Sequence, residues 1–287
     1  MSTILVTGSG GYLGSRLVTV LARGHEVISL SRHPADGPGR VVRGDFADGA
    51  VLAALDGERI DAVVHLAGVT GGCSEEDAMK VNVTGTRRLM RWAIDHGVRR
   101  FVVASSIAAV GCLSPVFLPR ELPVPDDYPC EAVDAYGLSK AMVEELGAYF
   151  HRQLPDLDMT LVRIGVVQRE DETAVTEEIV RAMPVPFAIL GSIAVADAIA
   201  ALTAMTERPA GPGFRRVNLV GGRIRSSMPT ADTVRLLFGP RADGLDFSHY
   251  QQAGHESDSL YATSRITELF GFRPIIDPAT RQEASSL

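Results

Sequence analysis

An α/β fold built on a doubly wound parallel sheet, with a smaller C-terminal lobe interleaved with it, is predicted by three observations. Ile4-Leu5-Val6 is an unbroken apolar run, as a parallel strand covered on both faces requires. Gly8, Gly11 and Gly14 follow at once, and Leu13, Leu17, Val18 and Leu21 then recur at helical spacing up to Gly24. The same alternation of short apolar run and apolar-faced helix continues as far as residue 165.

The chain has 287 residues, enough for one large domain or two interleaved lobes. Its 46% hydrophobic and 22% charged content is that of an ordinary globular protein. No run approaches the ~20 apolar residues of a membrane span, and the N-terminus reads as a strand rather than a secretion signal. A net charge of −7 offers no basic surface for nucleic acid. Cys73, Cys112 and Cys130 form neither a disulfide framework nor a metal spacing, and read as reduced thiols of a cytoplasmic protein. Among 28 basic side chains only Lys80 and Lys140 are lysines. A lysine kept in so arginine-rich a chain points to a place where a compact ammonium is needed and a planar fork does not serve.

In the first strand–turn–helix unit the glycines let backbone approach a pyrophosphate, and the N–H groups and dipole at the helix start hold its charge. The second strand, His25 to Leu30, ends at Ser31-Arg32. NAD-binding proteins place an acid there for the ribose 2′-hydroxyl. A carboxylate repels a 2′-phosphate and an arginine binds it, so NADP is expected over NAD. A solvated surface arginine is the alternative reading. Val41-Val42 starts a third strand before Gly44-Asp45-Phe46. The fourth, Asp61 to Leu66, ends in Ala67-Gly68, which leaves room for a cofactor at the carboxyl end; His65 within it reads as structural. A helix follows from Ser74, whose hydroxyl forms a capping pair with Asp77, through Met79, Val83, Leu89, Met90, Ala93 and Ile94 to Gly97. Lys80 on it reads as solvated. The fifth strand, Arg100 to Ala104, ends at Ser105-Ser106. Tyr136-Gly137-Leu138-Ser139-Lys140 then opens a helix with Met142, Val143, Leu146 and Phe150 as its apolar face, so Tyr136 and Lys140 stand one turn apart on one side.

Thr7-Gly8-x-x-Gly11-x-x-Gly14, His65-Leu66-Ala67, Asn82-Val83-Thr84-Gly85-Thr86, the Ser105-Ser106 pair and Tyr136-x-x-x-Lys140 resemble the extended short-chain dehydrogenase/reductase superfamily, that is, the NAD-dependent epimerase/dehydratase family. The resemblance implies a Rossmann domain over residues 1–165, to whose sheet a strand at 215–220 returns, and a smaller substrate lobe over 166–287. It implies cofactor contacts from Gly8, Gly11, Tyr12, Leu13 and Gly14, from Ser31, Arg32, Asp45 and Phe46, and from Leu66, Ala67 and Gly68, besides Tyr136 and Lys140. Asp45 would meet the adenine, although an aspartate capping a turn looks the same. The implied catalytic set is Ser106, Tyr136 and Lys140, with Asn82 nearby and no metal. The implied assembly is a homodimer through the Met79–Ile94 and Met142–Phe150 helices.

Tyrosine ordinarily titrates near pH 10, too high for facile proton exchange at neutrality. The Lys140 ammonium and an oxidised nicotinamide are expected to pull Tyr136 down, so that it takes a proton from an alcohol or gives one to a carbonyl. Ser106 would hold the substrate oxygen, and Lys140 the nicotinamide ribose. Ser105-Ser106-Ile107-Ala108-Ala109-Val110-Gly111 is similar to the epimerase segment Ser-Ser-x-x-Val-Tyr-Gly, with Val110 in place of the aromatic. The dehydratase branch carries Thr-Asp-Glu here to supply an extra acid and base; Ser106-Ile107-Ala108 does not, so dehydration is not expected.

Thr160 to Gly165 is a sixth strand bearing the family's arginine as Arg163, but Val166-Val167-Gln168-Arg169 replaces the usual Asn and Tyr-Gly-Pro. A helix at Ile193–Ile199, a strand at Arg216–Gly221 and helices at Met228–Phe238 and Ala262–Phe270 follow. His255 and Glu256, in Gly254–Asp258, read as a surface loop. The leading expectation is an NADP-dependent oxidoreductase moving hydride between cofactor and a secondary alcohol or ketone of a sugar, sugar acid or similar polar metabolite. The alternative is an epimerase with no net redox change. A cofactor-binding regulator without catalysis is disfavoured, because Tyr136 and Lys140 are both present.

Overall fold

The computed structural model describes residues 1–33, 37–169, 175–208 and 211–277. Among them run strands β1 (Thr3–Thr7), β2 (Glu26–Ser31), β3 (Arg40–Arg43), β4 (Ala62–His65), β5 (Arg100–Ser106), β6 (Asp158–Ile164), β7 (Val166–Gln168), β8 (Ser192–Ala194) and β9 (Gly213–Leu219). The helices are α1 (Tyr12–Leu21), α2 (Gly49–Ala53), α3 (Glu75–Asp77), α4 (Thr86–Asp95), α5 (Ala135–Gln153), α6 (Glu177–Arg181), α7 (Pro186–Leu190), α8 (Val195–Glu207), α9 (Thr230–Phe238) and α10 (Ser264–Phe270).

Seven strands form one sheet in the order β3-β2-β1-β4-β5-β6-β9, every pair parallel. The order reverses between β1 and β4, so a crevice opens beyond the carboxyl ends of Thr7 and His65, where doubly wound sheets bind ligands. Alternation along each strand feeds two cores. Ile4 and Val6 of β1 join Leu17 and Leu21 of α1 and Ile199 and Leu202 of α8 on one face. Leu5 joins Leu89 and Met90 of α4 and Val143 and Phe150 of α5 on the other. Each apolar side chain so buried contributes about 1.5–3 kcal/mol relative to exposure. A third cluster, with Ile107, Val124, Phe187, Val234, Tyr250 and Tyr261, forms the C-terminal lobe.

β9 lies against β6, with Asn218 beside Arg163 in register. Interleaving extends further than this strand. Helix α8 and, from α10, Ile266 and Phe270 cover the same sheet face as α1, because their apolar sides have that face to bury. β7 and β8 make a separate two-stranded parallel sheet.

The helix expected from Ser74 starts there, with Ser74 Oγ accepting from the Asp77 N–H at 3.1 Å. It is not α-helical throughout: Ala78–Gly85 is wound as a π-helix before α4 begins. Such wide turns occur where side chains must reach neighbours that regular winding would miss. Here Asn82, in mid-stretch, bonds the loop after β4. Among the described residues no helix is long and apolar enough to cross a membrane.

Candidate active site

The turn after β1 is held by its own backbone. Gly8 has φ +75°, donates its N–H to Leu30 O and accepts from Gly11 N–H, both at 2.9 Å. A Cβ on Gly8 would lie 2.6 Å from Ala67 N, and one on Gly14 would lie 2.1 Å from Gly8 O. Only glycine permits β1, the β4 loop and α1 to converge so closely. No side chain caps the first turn of α1, so its N-terminal N–H groups face the crevice, the arrangement that receives a pyrophosphate.

The opposing edge is the β4 loop. A Cβ on Gly68 would lie 2.7 Å from Asn82 Oδ1 and 3.7 Å from Lys140 Nζ, so Gly68 is the thin wall between those polar atoms and the crevice. Asn82 lies behind that wall and not in the cleft. Its Oδ1 accepts from Val69 N–H at 2.8 Å, and its Nδ2 donates to Val69 O and to Ser139 Oγ at 3.1 and 2.9 Å. Ser139 Oγ in turn donates to Tyr136 O at 2.7 Å. Asn82, expected in the catalytic set, ties loop, π-stretch and α5 together from this place.

Asp134 caps α5, its Oδ1 accepting from Gly137 N–H at 2.8 Å. A Cβ at Gly137 would lie 2.5 Å from Ala108 O, so this glycine lets the start of α5 settle against the 3₁₀ turn Ile107–Val110 after β5. Tyr136 is thereby brought beside Ser106, which acts on the phenol, and both side chains line one cleft. Ser106 Oγ also accepts from Ala108 N–H at 3.1 Å. Lys140 is buried one turn on, with Nζ donating to Ala104 O at 2.9 Å and 5.8 Å from the centre of the Tyr136 ring.

The electrostatics differ from expectation. Burial pushes the Tyr136 phenol above its ordinary value, and the Ser106 hydrogen bond opposes this only in part. Burial brings Lys140 down to about 8. For Tyr136 loss of surrounding water is the largest effect, and Lys140 Nζ is bonded to Ala104 O.

On the buried side of α5, Glu144 is fully buried and holds five donors, the weakest being Cys130 Sγ at 3.5 Å from Oε2. Arg163 gives Nε to Oε1 at 2.8 Å and Nη2 to Oε2 at 2.9 Å, Ser105 Oγ reaches Oε1 at 2.7 Å, and Arg216 Nε reaches Oε2 at 2.7 Å. Together they hold its carboxyl below the usual range against the opposing effect of burial. His65 stands between Thr7 Oγ1 (2.6 Å from Nδ1) and Thr86 Oγ1 (2.8 Å from Nε2), and burial lowers it to about 3. It is a neutral structural imidazole, as its sequence context indicates.

These residues line a cleft of about 490 Å³. Gly8, Gly11, Tyr12, Leu13 and Gly14 form one end, with Leu66 and Gly68 alongside and Ser106, Tyr136 and Lys140 at the other. Ala67 backs the Gly8 turn. The adenine-end expectations fall outside the cleft. Ser31 accepts from His33 N–H at 3.4 Å, Arg32 is exposed at the end of β2, and Ser31 lies in register beside Arg43. The Asp45 carboxylate accepts from Ala47 N–H at 2.8 Å, which is the turn-capping reading, and Phe46 is a core residue with its ring edge-on to His65. His255 is apart from the cleft too. Its Nδ1 and His249 Nε2 meet Asp258 Oδ2 at 2.7 and 2.9 Å, and the three ligand atoms lie within 4.8 Å of one another.

Sequence reasoning missed the remaining wall: Val69, Ile107, Leu113, Val166, Val167 and Ala188. The one signal was the loss of the family's polar pattern after Gly165, where Val166-Val167 stands.

Residues 4–183, well over half the chain, match the NAD dependent epimerase/dehydratase family. The chain belongs to that family. It is similar to the UDP-glucose 4-epimerase of Lactobacillus helveticus, 31% identical over 160 residues, which is 51% of this chain and 46% of that protein. It is also similar to the 3 beta-hydroxysteroid dehydrogenase/Delta 5-->4-isomerase of Mycobacterium tuberculosis (strain CDC 1551 / Oshkosh), 40% identical over 124 residues, 38% and 33% of the two chains. The matches thus span about half or less of those relatives' length. A short-chain dehydrogenase/reductase superfamily protein from Agrobacterium tumefaciens, solved with bound NAD, superposes with a TM-score of 0.70 at 24% identity over 96% of this chain and 93% of that one. That likeness is one of fold.

Proposed function

We propose that the protein is a nicotinamide-dependent oxidoreductase that interconverts a secondary alcohol and a ketone, with Tyr136 as acid and base. The observation that carries this is the meeting of Tyr136, Ser106 and Lys140 in one cleft that also holds a side-chain-free cradle of Gly8, Gly11 and Gly14. When bound, the nicotinamide supplies or takes up hydride at the substrate carbon. The cradle and the first turn of α1 would hold its pyrophosphate, and Lys140 its ribose. Ser106 donates to the substrate oxygen and stabilises charge growing there. Tyr136 hands its proton to that oxygen in reduction and receives it in oxidation.

NADP is the proposed cofactor. Ser31-Arg32 stands where a carboxylate would select NAD, and Arg43 in the neighbouring strand adds a second positive charge close by. A homodimer is proposed on the exposed Leu138, Met142 and Tyr149, which share one side of α5. The three cysteines are free thiols, in keeping with a cytoplasmic setting. The second reading, epimerisation, has in its favour the Lactobacillus helveticus relative's name and the Ser105–Gly111 segment. Absorbance of NADPH with a ketone panel tests the choice. Stoichiometric consumption is expected; product without net cofactor change would establish epimerisation, and an inert panel with tight cofactor binding would defeat hydride transfer.

A further inference from the structure

We propose that the substrate of this cleft is a compact apolar molecule, a ketone or secondary alcohol carried on an alicyclic or branched hydrocarbon skeleton, in place of the sugar-like metabolite expected from sequence. The proposal rests on the hydride-transfer reading of the same site. Besides Ser106 and Tyr136, the cleft is lined by the aliphatic side chains of Val69, Ile107, Leu113, Val166, Val167 and Ala188. Among the described residues lining it there is no carboxylate, carboxamide, imidazole or guanidinium side chain.

The polar atoms that are present are largely committed elsewhere. Ser105 Oγ donates to buried Glu144 at 2.7 Å, and Lys140 Nζ donates one proton to Ala104 O at 2.9 Å and has its others assigned to the cofactor's ribose. Ser106 and Tyr136 serve one oxygen, the reacting one. Thr70 is the remaining hydroxyl among the described lining residues outside the glycine end. A pyranose entering this space would bury several hydroxyls against aliphatic carbon, each unpartnered one weakening binding roughly tenfold. A hydrocarbon skeleton meets no such penalty, and each methylene it buries strengthens binding roughly fourfold. The same 490 Å³ must also admit the nicotinamide end of the cofactor, which favours a small substrate.

Calorimetry on the full chain loaded with NADP tests this, using 4-methylcyclohexanone against D-glucuronate and UDP-glucose. The ketone is expected to bind at least tenfold more tightly than either sugar. A sugar binding as tightly as the ketone, or no heat from the ketone, overturns the proposal. Turnover is read separately: ketone binding without NADPH oxidation leaves the substrate class standing and sinks the hydride-transfer reading. Leu113→Asn is expected to weaken ketone binding about tenfold with NADP binding unchanged. Unchanged ketone affinity in a folded Leu113→Asn protein also overturns the proposal, and the ligand panel needs no variant.

Discussion

The two walls of the cleft work by different physics. The wall from Gly8 to Gly68 and on to Tyr136 and Lys140 is largely backbone, fixed from behind by the hydrogen bonds of Asn82 and Ser139. The wall from Ile107 to Ala188 is aliphatic and acts by shape and exclusion of water. In the proposed reaction the first wall would hold a charged, extended cofactor, and the second, with Val166 and Val167, would set the fit of a substrate.

Perturbing the polar wall should have the largest effects. Tyr136→Phe is expected to lower kcat about a thousandfold, about 4 kcal/mol, with NADP affinity within about twofold, as measured by steady-state kinetics and calorimetry. A smaller loss of rate would mean that another group moves the proton. Glu144→Ala should lower unfolding free energy by about 3 kcal/mol in denaturant titration, because Arg163 is left buried without its counter-charge. That result would extend the rigidity of the polar wall to the helix behind it.

His65 sharpens the contrast through pH. Its folded value of about 3 lies below the ordinary 6.5, so the unfolded chain takes up the proton first as pH falls. The stabilisation is complete above pH 6.5 and is lost progressively toward pH 3. Between pH 8 and pH 5 the loss should be about 2 kcal/mol, and His65→Gln should remove that share of the slope in pH-dependent unfolding. The smallest effect is expected at the adenine end, where side chains are exposed. Arg32→Ala should weaken NADP about tenfold, about 1.4 kcal/mol, and leave NAD unchanged; an equal loss for both would remove the argument for NADP.

What could be read in the sequence follows the same division. Gly8 and Gly14 were legible because a backbone that admits no Cβ leaves a fixed spacing in the chain. Tyr136 and Lys140 were legible because one helical turn joins them. Asp45 was ambiguous for a physical reason: one carboxylate suits an adenine or a turn, and it caps the turn to Ala47. The direction of the Tyr136 shift was not legible, since it depends on burial, which no local pattern encodes. Nor was the aliphatic wall. It is gathered from β5's turn, β7 and α7, whose valines and alanines look like any core residues until the chain folds.

Glu144 gives this division a longer reach. One carboxylate pins α5 to β6 and β9 through Arg163 and Arg216 and to β5 through Ser105, entirely beneath the surface of the cleft. The aim of the phenol is thereby decoupled from the residues that face the substrate. In the proposed reaction, exchanging one aliphatic side chain of the cleft would then alter substrate fit and leave Tyr136 in register.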